Sequence, residues 1–489
     1  MSAAHPGSRT AAPVRVRQLP PAVAGTRAID VVEAFRDLPG AVLLESARPG
    51  RNARWTYFTA DPVAVLESPA AGPDPFAVAR RLVARLDGGP LIAAPGDTAP
   101  QDLPPFVGGL AGFLGYDLGH ALERLPVRAV DDQDLPPLRL ALHDWVVAWD
   151  RRGGRAWLGG RALDGDVRRL VRRLDEVHAR LTDPSFRRRV GPASEREASP
   201  GAVLPFVSGL ERAEYEARVE AIRTEIARGQ LYQANLTRRL ETPFRGSPWS
   251  RYRRLRTGDP SLFSAYLDLG PSPLTGQPRA LLSASPEPFL TVDRAGRVST
   301  DPIKGTRPRG RDRSEDRALA RELLTSAKDR AENVMIVDVL RNDLGRVCRP
   351  GSVRVPRLCR LERTAGVQHL VSTVTGRLAR DRDVFDLLAA SFPGGSITGA
   401  PKIRAMEILE GLEPVRRGPY TGALGWIGPD GAMQTSILIR TFVADGRRLT
   451  LHVGGGITYQ SDPAAEWDET VAKASGPLSA IGGVEVVPA

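Results

Sequence analysis

The stretch that most constrains this chain runs from Leu282 to Arg307, LSASPEPFLTVDRAGRVSTDPIKGTR. Phe289–Val292 and Arg297–Thr300 carry strand-forming residues, and Asp293-Arg294-Ala295-Gly296 supplies turn residues between them. A hairpin centred on that turn sets Glu287 roughly opposite Lys304, because their separations from the turn nearly match. Directly opposed residues lie about 4.5–5.5 Å apart at Cβ. An acid and an amine are thereby held together where each strand is interrupted, at Ser285-Pro286 and at Gly305-Thr306. This is the arrangement a catalytic pair requires.

Composition limits the surroundings of such a pair. The hydrophobic fraction is 42% and the charged fraction 26%, ordinary for a globular chain. No run approaches 18 apolar residues, so no membrane segment is expected. Residues 1–23 read as a flexible polar terminus without the charged and apolar regions of a signal peptide. Cys348 and Cys359 form no metal-site spacing and no disulfide framework, which points to the cytoplasm. The net charge of +11 raises the alternative of a nucleic-acid-binding protein. Acidic residues interleave with the basic ones throughout, however. The densest basic cluster, 185–197, has no aromatic for base stacking and sits in a Pro/Ser-rich stretch, so no nucleic acid is expected as a partner. Of the 68 basic side chains only Lys304, Lys328, Lys402 and Lys473 are lysine. A chain that uses arginine for general positive charge marks its lysines as candidates for work needing a compact, deprotonatable amine.

Strand and helix patterns alternate over 24–181, with strands at Ala41–Glu45 and Trp55–Phe58, a helix over Asp74–Leu86, a hairpin of Asp144–Trp149 with Arg155–Gly159, and a helix over Val167–Leu181. The glycine-rich run 104–123 fits close packing of strands in a sheet core. Residues 182–204 read as a linker, and 205–486 as the second, catalytic domain. Within it, a helix over Glu211–Arg228 leads into a strand whose alternation turns Tyr232, Ala234 and Leu236 to one face and Gln233 and Asn235 to the other.

Two later helices each present carboxylates three apart on one face: Asp329 with Glu332, and Glu466 with Glu469. Solvated helix charge is the plainer reading of either pair. Both together, each beside a rare lysine (Lys328, Lys473), point to a hard divalent cation such as Mg²⁺, which takes one or two carboxylates and keeps several waters. The strand 366–376 turns His369 away from Leu370. The glycine-rich loop 391–400 opens a helix, a place where amides can meet an anion. Met433–Val443 and Arg448–Val453 read as a hairpin carrying Arg440 at one end and running into Gly454, Gly455 and Gly456, whose amides are free to approach an anion. The implied ligand is a small polyanion with more than one carboxylate.

The ordered blocks GQLYQANLTRR, ASPEPFL, DPIKGTRPRG, DRAENVMIVDVLRNDLGRV, GVQHLVSTVTG, FPGGSITGAPKIRAMEIL, PYTGALGWI, GGGITYQSDP and EWDETVAKA resemble the chorismate-utilising enzyme family over about 204–476. LLES at 43–46, RWTYFTADP and GGLAGFLGYDLG resemble its accessory region. The resemblance implies an α+β fold of two large antiparallel β-sheets packed together and flanked by helices. It implies direct Mg²⁺ ligation by Glu332 and Glu469, with Glu466 and Asp329 acting through water. It assigns Tyr420, Arg440 and Gly454–Gly456 to a carboxylate of chorismate, Thr398 and His369 to the ring, and Glu287 to protonation of the departing C4 hydroxyl. Gln233 and Lys473 join the substrate-binding set. Family members that activate water carry a lysine where this chain has Gln233. Anthranilate synthases usually read PIAGT where it has PIKGT. Lys304 therefore points to the branch that adds ammonia at C4 through a lysine adduct, the product leading to 4-aminobenzoate and folate. The alternative is ring amination with loss of pyruvate. Neither cysteine sits in a nucleophile turn, so ammonia is expected from solution or from a separate glutamine amidotransferase subunit. SPEP and GITYQSDP depart from the family's commoner wording without removing a proposed catalytic group. LLES resembles a tryptophan-binding motif and is read here as structural.

Overall fold

A computed structural model describes residues 14–48, 50, 53–91, 102–183, 185, 203–364 and 366–486. Among them the strands form one sheet of thirteen and one of ten, antiparallel except where Gly483–Val486 runs parallel to Leu204–Ser208. The expected α+β fold of two packed sheets is the one observed. Apolar faces meet between them: Val42, Tyr57, Leu281 and Val443 of the larger sheet pack with Phe113, Leu424 and Trp426 of the smaller. Each large apolar side chain buried there contributes about 1.5–3 kcal/mol.

The N-terminal and C-terminal parts are woven into common sheets. Val42–Glu45 pairs with Phe263–Pro271 in the larger sheet, and Gly109–Leu114 pairs with Ala423–Ile427 in the smaller. At the second seam Gly112 faces Gly425. Gly112 has φ +158°, and a Cβ there would run into the carbonyl of Arg139. Within the glycine-rich run Gly109–Leu114 is thus the close-packed strand its composition indicated, while Tyr116–Leu118 and Gly119–Leu122 are helical turns.

Several local readings need correction. Val14–Gln18, assigned to a flexible terminus, is a strand paired with Arg155–Arg161; residues 1–13 lie outside the described residues. Most of the 182–204 linker, with its basic cluster, lies outside them too. The helix expected over Asp74–Leu86 is confined to Ala77–Val83. Tyr232 is exposed, because it precedes the strand Gln233–Pro243, while Ala234 and Leu236 are in the core.

The largest correction concerns 433–443, read as one strand of a hairpin. Met433–Ile437 belongs to the ten-stranded sheet and Thr441–Asp445 to the thirteen-stranded one. The chain changes sheets over Leu438-Ile439-Arg440, where Arg440 has φ +50°. It changes sheets a second time between Pro278–Ser285 and Pro288–Val292, across Pro286-Glu287. The two crossings are adjacent: the Ile437 amide donates to the Glu287 carbonyl at 3.0 Å, and the Ala284 amide to the Arg440 carbonyl at 3.0 Å. Glu287 and Arg440 are thus presented together at the junction of the sheets.

Candidate active site

A cavity of about 570 Å³ opens at this junction. That is enough for a small-molecule ligand. It gathers Glu287, Lys304, Asp329, Glu332, His369, Tyr420, Arg440, Gly454, Gly456, Glu466, Glu469 and Lys473 on its walls. Residues from 287 to 473 in sequence meet there.

The hairpin forms with Thr291 opposite Ser299 and Val292 opposite Val298. Extending that register sets Glu287 opposite Ile303, one residue short of the expected Lys304. The strand is interrupted at Asp301-Pro302, and Ile303–Pro308 goes on along Val367–Arg377, which already pairs with Arg297–Thr300, so that Lys304 pairs with Leu370. Both side chains still reach the cavity. Burial pushes the Glu287 carboxyl above its ordinary range, opposed by Lys304, Ser396 and the Ile303 amide. Burial likewise lowers the Lys304 amine, with Lys473 assisting and Glu287, Glu332 and Glu469 opposing. The acid is held towards its protonated form and the amine towards its neutral one. These are the forms a proton donor and a nucleophile need.

Gly305, just after the lysine, has φ +79°, and a Cβ there would crowd the side chain of Asp329. This contact brings the hairpin against the helix Ala327–Gly345. Ser326 caps that helix by accepting from the Asp329 amide. Asp329 also accepts from Arg307 at 3.2 Å. Across the cavity the helix Pro463–Ile481 starts on an Asp462 cap with Pro463 in its first turn. It carries Glu466, which accepts from Ser461 at 2.6 Å, and Glu469, paired with Lys473 at 2.5 Å.

Burial raises Glu332, with Asp329 and Glu469 adding repulsion against the pull of Lys304 and Lys328. Burial raises Glu466 too, and Glu469 adds to it. Burial also works against Glu469, but Lys473, Lys328 and Lys304 outweigh it and leave that carboxyl below its ordinary range. Mutually repelling, partly buried carboxylates on two facing helices suit a hard cation. Among the described residues no three acidic, histidine or cysteine side chains are gathered closely enough to hold one alone. A cation there would complete its shell with water and ligand oxygens.

The remaining wall is set by the strand Arg448–Ile457. Gly454, Gly455 and Gly456 were expected to offer three free amides. They are instead paired with Thr237, Leu236 and Asn235. The strand's other partner ends opposite Leu451, leaving that edge open. Gly454 and Gly456 line the cavity, whereas a Cβ on Gly455 would approach Glu466 Oε2 at 2.9 Å. Lys473 Nζ donates to the Gly454 carbonyl at 2.8 Å.

Gln233 and Thr398, expected on the walls, lie one layer back. Gln233 stands behind Gly456, where its amide would block any Cβ. Thr398 spends its hydroxyl on the Gly394 carbonyl at 3.1 Å. Ser396, Asn235 and His452 line the cavity without having been assigned to it. Ser396 lies in the glycine-rich loop already noted, and Asn235 shares a strand face with Gln233. His452 carried no local signal; it stacks on Tyr420, ring centroids 5.1 Å apart. His369 Nδ1 lies 2.8 Å from Thr306 Oγ1. Burial, with Arg48 and Arg440 nearby, lowers its pKa to about 4, so it is neutral at pH 7.

Beneath the cavity, fully buried Arg417 donates to both carboxylate oxygens of Glu413 and to the carbonyls of Asn235 and Ile397. At the LLES segment, Glu45 accepts from Tyr252 and Arg256 at 2.7–2.9 Å, and Ser46 donates to the Leu262 carbonyl. The hollow beside them measures only about 60 Å³.

The profile of the family described as chorismate binding enzyme matches residues 42–479. The chain belongs to that family and is a chorismate-utilising enzyme. It is 40% identical to anthranilate synthase component 1 of Streptomyces coelicolor, over 94% of this chain and 87% of that one. It is 41% identical to aminodeoxychorismate synthase component 1 of Klebsiella aerogenes, over 76% of this chain and 78% of the relative. The crystal structure of anthranilate synthase component I from Streptococcus pneumoniae superposes with a TM-score of 0.74 at 29% identity, covering 88% of this chain and 93% of that one. No helix among the described residues is long and apolar enough to cross a membrane.

Proposed function

We propose that the protein is the chorismate-aminating component of an aminodeoxychorismate synthase, forming 4-amino-4-deoxychorismate from chorismate and ammonia. The observation that carries this reading is Lys304, an amine whose pKa is lowered on the cavity wall beside a carboxyl whose pKa is raised. In the proposed reaction neutral Lys304 bonds to C2 of the ring while Glu287 gives its proton to the C4 oxygen, which departs as water. Ammonia then bonds to C4 and returns a proton to Glu287, the C2–nitrogen bond breaks, and the lysine and the acid are regenerated. Arg440 and Tyr420 hold the enolpyruvyl carboxylate, and neutral His369 lies beside the ring. Glu332 and Glu469, with Glu466 and Asp329 through water, would hold Mg²⁺, which when bound neutralises the ring carboxylate. Ammonia would come from a separate glutamine amidotransferase subunit, consistent with relatives named as component 1.

The second reading is anthranilate synthase component I, favoured by the Streptomyces relative's match over 94% of the chain. Incubation with chorismate, Mg²⁺ and ammonium separates the two. The expected product is 4-amino-4-deoxychorismate, identified by chromatography and mass spectrometry. Fluorescent anthranilate as the main product sinks the first reading. Lys304→Ala should fold normally and lose most turnover; wild-type rates at any ammonia concentration rule out the covalent step.

A further inference from the structure

Four neighbouring strands of the larger sheet end at the same level. Ser264 pairs with Glu45 on one side and with Ala284 on the other, and Ser283 pairs with Thr441. Each chain leaving that edge carries a charged residue: Glu287 and Arg440 line the cavity, and Arg48 and Asp259 lie beside Arg440, outside the residues that line it. Arg48 follows Glu45, Asp259 precedes the 263 strand, Glu287 follows Ser285, and Arg440 precedes Thr441. The first two segments are clasped together: the Ala47 amide donates to the Ser261 carbonyl at 2.8 Å, and Ser46 Oγ to the Leu262 carbonyl at 2.8 Å.

Apart from Glu287, which interacts with Lys304, this edge holds two arginines and one carboxylate. Arg440 Nη1 lies 3.6 Å from Asp259 Oδ1, and Arg48 is the second guanidinium. Arg48 Nε and Asp259 Oδ2 are both buried with no hydrogen-bond partner. Two cations thus face one carboxylate, and two buried polar atoms await partners; such orphans cost about 1–3 kcal/mol each.

We propose that Arg48 is a second substrate-binding arginine, and that Asp259 stands in for a substrate carboxylate, being given up by the arginines when chorismate enters. The inference rests on the reading that the Arg440 end of the cavity receives a carboxylate of chorismate. It explains why a segment remote in sequence, just after LLES, is held against the site. The electrostatics bear on the same group of charges: burial and Arg440 lower Arg48, opposed by Asp259, and burial raises Asp259 above the usual carboxylate range against the pull of Arg440 and Arg48.

The two residues should give opposite results, which a folding defect cannot mimic. Chorismate binding with Mg²⁺ is measured by calorimetry, and KM and kcat by chorismate consumption. Arg48→Met should weaken binding about tenfold and raise KM alike, with kcat within about twofold. Arg48→Lys should recover most of the loss. Asp259→Asn removes the competing carboxylate and should tighten binding several-fold. Unchanged binding in Arg48→Met, or weaker binding in Asp259→Asn, overturns the proposal. A wild-type enzyme that makes anthranilate refutes the proposed function and leaves this inference standing. A wild-type protein that does not bind chorismate overturns both.

Discussion

Replacing His369 by glutamine removes one titrating group and keeps a neutral side chain able to bond Thr306. In the folded chain His369 takes up a proton only near pH 4, because burial and the two arginines oppose the charge. In the unfolded chain it does so near 6.5. The unfolded state therefore binds more protons between those values, and stability falls as pH falls through that window. The contribution is full above pH 6.5, declines towards 4, and is constant below. At pH 5.5 about nine-tenths of unfolded imidazoles are charged and few folded ones are, a cost of about 1.4 kcal/mol. Solvent reaching one edge of the ring brings this to about 1 kcal/mol.

Urea unfolding of both proteins at pH 7.5 and 5.5 measures the difference. Wild type should lose about 1 kcal/mol more than His369→Gln on going to the lower pH. Buried His143 and His452 and all carboxylates are common to both proteins and cancel. Parallel losses would falsify the account, showing that His369 is not held neutral by its surroundings.

Other perturbations test the site and its support. The pH profile of kcat/KM should be bell-shaped, falling in acid as Lys304 is protonated and in alkali as Glu287 loses its proton; a rate still rising beyond about pH 9 rules out Glu287 as the donor. Glu413→Gln leaves the guanidinium of Arg417 buried without its counter-charge and should cost about 3–5 kcal/mol in denaturant unfolding. Gly112→Ala forces a Cβ into the Arg139 carbonyl at the seam between the chain's two parts and should destabilise by at least about 2 kcal/mol, read as a lower urea midpoint.

What could be read before the structure was mostly local. The 289–300 hairpin, the Asp462 cap and the i, i+3 carboxylates each depend on residues a few positions apart, and each stands where expected. The fold's defining feature is not local. Nothing in Pro286-Glu287 or in Leu438-Ile439-Arg440 announces that the chain leaves one sheet for the other, since strands on either side carry the same alternation. The one-residue offset between Glu287 and Lys304 lies in the hairpin's own register, with Thr291 opposite Ser299, which the turn residues alone do not fix. Arg48, Asp259 and the Arg417–Glu413 pair were silent because arginine and acid are common throughout this sequence, and only tertiary contacts distinguish the buried ones.

Lysine was the exception, and the structure gives its rarity a physical basis. Lys304, Lys328 and Lys473 all line the cavity. Lys402, at the start of the helix after the glycine-rich loop, reaches Asp343 at 2.7 Å and the Ser391 carbonyl at 2.9 Å. That contact ties the loop to the helix carrying Glu332. A guanidinium at 304 would remain charged at any working pH and could not attack carbon. At 473 one compact ammonium serves Glu469 and the Gly454 carbonyl together. Although the chain carries 64 arginines, all four positions that keep lysine either line this cavity or brace one of its walls, so the rarity of lysine already pointed to it.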